Sequence, residues 1–191
     1  MSDLIEEILS CTLCASILPH EPRPVIQFGK RAKILIIGQA PGRRVHESGI
    51  PWNDPSGNKL RDWLGVPKEA FYDPELFAII PMGFCYPGRG KSGDLPPIPA
   101  CAKMWHTQLH ALFEQQPLTL LIGQYAQRHY LGSAYKGNLT DTVRSYHEYL
   151  PQYFPLPHPS PRNQNWLKVN PWFANDVLPA LKQQLLPLIR I

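Results

Sequence analysis

The sequence predicts an α/β protein, a three-layer α/β/α sandwich around a central four-stranded parallel sheet. Four short apolar runs of strand length lie at 33–37, 76–80, 118–122 and 153–156. Segments with helical apolar spacing lie between them, so strands and helices alternate along the chain. Such alternation favours a parallel sheet covered by helices on both faces. We expect residues 1–191 to form one domain, because this length suits a single core and is short for two.

The N-terminal half contains two predicted helices. The first covers residues 3–10 and runs into Cys11-Thr-Leu-Cys14, after which a proline-rich segment leads to the first strand. The second is predicted over 58–64, beyond a loop at 38–57. The second strand leads into a long loop over 86–99, so both strands end in unusually long connections.

The C-terminal half contains three further predicted helices. One opens at Cys101, with apolar residues near a 3.6-residue period. The next covers 125–131, directly after Gly123-Gln124 at the end of the third strand. No regular structure is predicted for 132–150. The last helix starts near Asn170-Pro171, a favourable pair for the N-cap and the first helical position.

The loop at 38–57 is the first candidate ligand site. It holds four glycines and three prolines in the sequence GQAPGRRVHESGIPWNDPSG. These residues fix the shape of a loop and let backbone N–H groups approach a ligand closely. An ordinary connection between a strand and a helix needs only about 2–6 residues. Because ligands of open α/β sheets bind where such strands end, we expect a binding site here.

The second candidate site is His158-Pro-Ser-Pro-Arg-Asn163, directly after the fourth strand. Prolines on both sides restrict the backbone of His158, so its ring can be held in one orientation at low entropic cost. Ser160, Arg162 and Asn163 add hydrogen-bond donors suited to phosphates or base edges. Because this segment follows the end of a parallel strand, a functional site is favoured over a purely structural turn with a surface histidine.

Charge and cysteine content limit the partners and cofactors. The net charge of +4 is compatible with a polyanionic partner. No apolar run has the length of a membrane span and the N-terminus lacks a basic signal-peptide start, so we expect a cytoplasmic protein without a membrane partner. In a reducing compartment, Cys11 and Cys14 with Cys85 and Cys101 suggest a metal centre. Four thiolates suit either a [4Fe–4S] cluster or tetrahedral zinc.

Together these motifs resemble the uracil-DNA glycosylase superfamily, and most closely its iron–sulfur group, family four. The resemblance covers nearly the full length and depends on the order of the motifs GQAPG, Gly49-Ile-Pro51-Trp52, Ser56-Gly57, HPSPRN and the four cysteines. It implies an enzyme that flips a damaged base out of DNA and cleaves its N-glycosidic bond. It also favours iron–sulfur over zinc at the cysteines.

The resemblance assigns roles to individual residues. Trp52 would stack on the flipped base, and the backbone of Gly38, Gln39 and Ala40 would approach the base and sugar. His158 would hydrogen-bond the oxygen of the departing base. Two groups of residues would contact the DNA: Ser160, Arg162 and Asn163 near the lesion, and Arg89 and Lys91 on the loop at 86–99.

The chain departs from the family pattern at two positions. Gln39 stands where family four has a glutamate, and an amide cannot accept a proton from water. We expect His46 to activate the water instead, with Glu47 and Asp54 as alternatives. Pro81 occupies the base-binding position of an asparagine that reads uracil, so discrimination of uracil should be poor.

The leading hypothesis is a monofunctional, monomeric DNA-repair glycosylase acting on uracil or a related deaminated or damaged base. No lysine stands out as a Schiff-base nucleophile, so no lyase step is expected. The alternative is a non-catalytic or altered-specificity DNA-binding member of the same superfamily, favoured by Gln39 and Pro81. A third hypothesis is an enzyme acting on a nucleotide or a different nucleic acid.

Overall fold

The central element is a four-stranded, wholly parallel sheet. The structure, a computed structural model, describes residues 3–189. Its strands are β1 (Ile34–Ile37), β2 (Phe77–Ile79), β3 (Leu118–Ile122) and β4 (Tyr153–Leu156), in the order β2-β1-β3-β4. All four predicted strands are present, and the prediction of a parallel α/β fold is confirmed.

Nine α-helices within residues 3–189 surround the sheet. They are α1 (Asp3–Leu9), α2 (Arg43–Ser48), α3 (Pro55–Leu64), α4 (Lys68–Phe71), α5 (Thr107–Ala111), α6 (Gln124–Leu131), α7 (Leu139–Arg144), α8 (Gln164–Val169) and α9 (Leu178–Ile189). π-helical turns at Ala102–His106 and Phe173–Val177 precede α5 and α9. The short helices α2, α4, α7 and α8 were not predicted, and α3 begins earlier than expected. None of the helices in the described part of the chain is long and apolar enough to cross a membrane.

Alternate residues of β1 divide the core into two layers. Ile34 and Ile36 pack with the apolar side chains of α3 and α9 on one face of the sheet. Leu35 and Ile37 pack with those of α1 and the segment leading into α5 on the other face. All four side chains are fully buried, as expected for a strand covered on both faces. The three-layer arrangement follows from this burial.

Helix α3 has strong sequence signals at both ends. The Asp54 side chain caps its N-terminus by accepting a hydrogen bond from the Gly57 N–H at 2.8 Å. Pro55 occupies the first helical turn, where its missing N–H is not needed. Gly65 ends the helix in the left-handed conformation, with φ of 70°. The loop at 38–57 is therefore anchored firmly to the helix that follows it.

The strand order determines where the loops converge. β2 lies on one side of β1 and β3 on the other, so the direction in which successive strands are added to the sheet reverses at β1 and β3. Connections that leave the carboxyl ends of these two strands diverge and form a crevice between them. Gly38 and Gly123 directly follow the two strands, and the loop after β4 lies beside them. This edge of the sheet carries the candidate site.

Candidate active site at the carboxyl edge of the sheet

A cavity of about 480 Å³ opens at the carboxyl edge of the sheet. Residues from the loops that follow all four strands line it. It brings together nine of the residues proposed from sequence: Gly38, Gln39, Ala40, Trp52, Pro81, His158, Ser160, Arg162 and Asn163. A volume of this size accommodates a nucleobase with its sugar, since small-molecule sites span roughly 300–1,000 Å³.

His158 is held by its own loop. Its Nδ1 accepts a hydrogen bond from the Ser160 backbone N–H at 3.1 Å, and its carbonyl accepts one from Asn163 Nδ2 at 2.7 Å. Burial lowers the pKa of the His158 imidazole, although the carboxylates of Asp54 and Asp94 act in the opposite direction. The ring is therefore neutral near pH 7. Because Nδ1 is an acceptor, the hydrogen-bond network assigns the single ring proton to Nε2.

Trp52 adopts a strained backbone conformation beside His158. Its φ of 56° lies in the left-handed region, which bulky residues rarely occupy. The ring centroids of Trp52 and His158 are 5.4 Å apart and tilted by 31°. A Cβ at Gly38 would lie 2.9 Å from the indole, and one at Gly57 would lie 1.7 Å from the Trp52 carbonyl oxygen. Glycine at both positions is what allows the indole to lie against the end of β1.

The backbone after β1 is fixed by the segment after β2. The Met82 N–H donates to the Gly38 carbonyl at 2.9 Å, and the Gly83 N–H donates to the Gln39 carbonyl at 3.0 Å. The Gln39 side chain donates from Nε2 to the Leu95 carbonyl at 3.3 Å. The amide of Gln39 thus connects the loop after β1 to the loop at 86–99.

The loop at 86–99 forms a narrow hairpin at the mouth of the cavity. Arg89 and Asp94 form an antiparallel backbone bridge within it, and Asp94 lines the cavity. Arg162 reaches across from the loop after β4, and its Nη1 donates to the Ser92 carbonyl at 2.9 Å. Arg89 and Lys91 are exposed and lie outside the cavity lining. They are therefore available to a partner that lies outside the cavity.

The structure does not bring His46 to the cavity. His46 lies on α2, and its neighbour Val45 is the residue of this turn that lines the cavity. The His46 ring contacts His20 and Tyr86 instead, with centroid distances of 5.3 Å and 6.0 Å. Burial, with smaller effects of His20 and Arg23, lowers its pKa. Successive residues of a helix point about 100° apart, so the unpredicted α2 turns this side chain away.

Pro81 lines the cavity and has a buried polar network behind it. The Pro81 carbonyl lies 3.0 Å from His106 Nε2, and Tyr130 Oη lies 2.6 Å from His106 Nδ1. Because a carbonyl can only accept, His106 must donate from Nε2, and Tyr130 then donates to Nδ1. Burial lowers the pKa of His106 to about 4. The network fixes the Pro81 backbone, and no side-chain amide faces the cavity from this position.

Five lining residues with polar side chains were not among the site residues assigned from sequence. They are Asp54, Ser56, Asp94, Gln124 and Tyr125. Gln124 and Tyr125 follow Gly123 at the carboxyl end of β3. Ligands of open α/β sheets bind where parallel strands end, so the sequence offered the same signal for these two residues as for the other loops. Asp54 was considered only as an alternative water-activating group. Asp94 had no local signal, since it reaches the cavity only through the hairpin.

The four cysteines converge at a second, smaller site. Cys11, Cys14, Cys85 and Cys101 line a pocket of about 20 Å³ with Phe84 and Trp105 around it. Burial raises the pKa of Cys85 to about 11 and also raises those of Cys14 and Cys101. Within residues 3–189, no three His, Cys, Asp or Glu side chains lie close enough to bind one metal ion. An all-thiol donor set of this kind suits soft transition metals.

One comparison with known proteins bears on this arrangement. The family model described as Uracil DNA glycosylase superfamily matches residues 26–182. The match includes both loops of the cavity and all four strands. The parallel sheet and the convergence of the loops after β1 and β4 agree with it. The chain therefore belongs to the uracil DNA glycosylase superfamily.

Proposed function

We propose that this protein is a monofunctional DNA glycosylase of base-excision repair, acting on uracil or a related deaminated or damaged base. The observation that carries the proposal is a neutral His158 that lines the cavity beside Trp52, with Nδ1 occupied by the Ser160 N–H so that Nε2 carries the ring proton. A base inside a duplex is inaccessible to chemistry, so such an enzyme needs a pocket that stacks and hydrogen-bonds an extruded base. Membership of the superfamily supports the same reaction.

In the proposed reaction, the flipped base stacks on Trp52 and its carbonyl oxygen faces His158. The N-glycosidic bond breaks with its electron pair moving to the base, and negative charge accumulates on that oxygen. The His158 Nε2–H then donates a hydrogen bond that strengthens as the charge grows. The sugar is left as an oxocarbenium-like cation, and the oxygen of a water molecule adds to C1′ while a proton is released.

We assign DNA binding to the loops around the cavity. Ser160, Arg162 and Asn163 are placed beside His158, where they contact the strand near the lesion or fill the gap left by the base. Arg89 and Lys91 contact phosphates from the hairpin. Phosphate contacts position a protein without reading sequence, which suits an enzyme that must act at many sites. A monomer in the cytoplasm is the simplest form for this role.

The base specificity is proposed to be broader than uracil alone. Pro81 has neither a side-chain amide nor a backbone N–H with which to read a base edge. Strong selection among similar substrates needs polar groups that are left unpaired by the wrong one. Hypoxanthine and xanthine are therefore candidate substrates beside uracil.

For the cysteine pocket we propose a [4Fe–4S] cluster held by Cys11, Cys14, Cys85 and Cys101, with zinc as the alternative. A single zinc ion with bonds of about 2.3 Å would require sulfur atoms only about 3.8 Å apart. The four thiols line one pocket, and the resemblance of their spacing to that of the iron–sulfur group favours the cluster. The cluster would join α1 to the hairpin loop and take no part in bond cleavage. Iron and acid-labile sulfide in an anaerobically purified protein support it, and stoichiometric zinc in a colourless protein contradicts it.

The test of function is single-turnover base release from oligonucleotides that carry uracil, hypoxanthine or xanthine, in single and double strands. We expect abasic product from at least one of them. His158→Ala should reduce the rate by about 10²–10³-fold, the effect of one such donor in other enzymes, with DNA binding nearly unchanged. His147→Ala, at an exposed histidine, is the matched control. Equal activity of the His158 variant would remove that residue from the mechanism.

The second candidate function is a non-catalytic DNA-binding protein of the same family. The hydrogen bond from Gln39 to Leu95 favours it, because it engages the side chain that replaces the expected acid. Specific binding of the lesion duplexes without any abasic product would support this alternative.

A further inference from the structure

The identity of the group that activates water is open at the proposed active site. Gln39 cannot take a proton, and its amide nitrogen is engaged by Leu95. His46 lies outside the cavity. Two carboxylates remain in the lining within the described part of the chain, those of Asp54 and Asp94.

Asp54 has the more rigid position of the two. Its Oδ1 accepts the Gly57 N–H at 2.8 Å, and Pro55 follows it directly, so both the backbone and the carboxylate plane are fixed. Its second oxygen, Oδ2, takes no part in that cap. Asp54 also lies two residues after Trp52, on the segment that carries the indole against His158.

Asp94 is less suited to the task. It is exposed on the hairpin at the mouth of the cavity. Its Oδ1 accepts a long hydrogen bond of 3.4 Å from the Tyr86 hydroxyl. Solvent around an exposed carboxylate weakens its interaction with charge that develops in the site.

We propose that Asp54 orients and deprotonates the attacking water; this rests on the proposed glycosylase function. After the base has left with the bonding electron pair, the water oxygen forms a bond to C1′. The water proton moves to Asp54 Oδ2 and later to solvent. Before that step, the negative charge of the carboxylate stabilises the sugar cation.

The N-cap role gives a way to separate chemistry from folding. Asn caps a helix as well as Asp does, so Asp54→Asn should retain the fold and lose the carboxylate that accepts the proton of the water. We expect single-turnover base release to fall by about 10²–10⁴-fold and its acidic pH limb to disappear. Asp54→Ser, another good cap, serves if the Asn variant is unstable. Asp62→Asn, at an exposed carboxylate of the same helix outside the cavity lining, is the matched control and should remain within a few-fold of wild type. Base release by Asp54→Asn within twofold of wild type would overturn the proposal.

A binding experiment tests the same inference without turnover. Two duplexes are compared, one with a cationic pyrrolidine in place of the sugar and one with a neutral tetrahydrofuran. Wild type should bind the cationic duplex at least about tenfold more tightly, since transition-state mimics bind more tightly than ground-state ones. Asp54→Asn should remove that preference while leaving tetrahydrofuran affinity unchanged. If wild type shows no preference, or the variant keeps it, Asp54 does not face the sugar. If wild type binds neither duplex, the proposed function itself fails.

Discussion

The strained backbone of Trp52 gives a stability prediction that does not depend on the proposed activity. Trp52→Ala and Trp52→Gly both remove the indole, so the loss of its contacts largely cancels when the two variants are compared. A left-handed φ costs an L-residue about 1–2 kcal/mol, which alanine retains and glycine avoids. Glycine loses about 0.5–1 kcal/mol through its greater freedom in the unfolded chain. The glycine variant should therefore be the more stable by about 0.5–1 kcal/mol.

This difference corresponds to about 1–4 °C in melting temperature for a chain of this size, measurable by calorimetry or urea unfolding. Asn53 is the control position, because it is exposed and its φ is not in the left-handed region. At Asn53 the usual order should hold, with alanine more stable than glycine. A Trp52→Ala variant as stable as Trp52→Gly would show that the left-handed backbone is not a feature of the folded protein.

Three further predictions concern the cavity and the network behind it. Gly38→Ala places a Cβ 2.9 Å from the indole of Trp52, so single-turnover base release should fall by about tenfold to a hundredfold. Gly42→Ala, whose nearest atom lies 3.5 Å away, should have a much smaller effect. Burial holds the pKa of His106 at about 4, below its ordinary value near 6.5. Between these values the unfolded chain binds a proton that the folded chain excludes, so stability should fall by up to about 3 kcal/mol as pH drops through this window. The free energy of unfolding, measured with urea at pH 7 and at pH 4.5, should fall less for His106→Gln than for wild type. An equal fall in both proteins would show that His106 does not cause the pH dependence. If Arg162 contacts one phosphate, Arg162→Ala should reduce the slope of log DNA affinity against log salt concentration by about 0.9. An unchanged slope would place Arg162 away from the DNA backbone.

The sheet could be predicted from sequence because its signals are local. Each strand is a short apolar run that ends at glycine, proline or both, as at Gly38 and Gly123. In a parallel sheet those ends meet at one edge, so the loops after β1 and β4 could be assigned to one site without knowing the strand order. The order itself, which defines the crevice between β1 and β3, needed the structure.

The short helices were harder to predict. Helix α2 follows Gly42, which offers no side-chain cap, and it ends at Gly49, so its six residues read as loop. His46 was assigned to the site from its place in this loop and its ordinary pKa near neutrality, whereas α2 turns its ring towards His20 and Tyr86. Helix α7 did have a signal, because Asn138 caps it by accepting from the Asp141 N–H at 2.8 Å. Asp94 could not be found locally, since its place at the cavity depends on pairing across the hairpin.

The backbone pairing after β1 also determines which features of substrate recognition can change during evolution. The carbonyls of Gly38 and Gln39 already accept hydrogen bonds from Met82 and Gly83, so the group that these peptides can offer to a ligand is an N–H. Among substitutions, only a change to proline removes such a backbone donor. An oxygen of a ligand bound by these N–H groups would therefore keep its donors after most point mutations at this loop. New specificities should arise at side chains in the lining, such as those of Pro81 and Asp94, which take no part in this pairing.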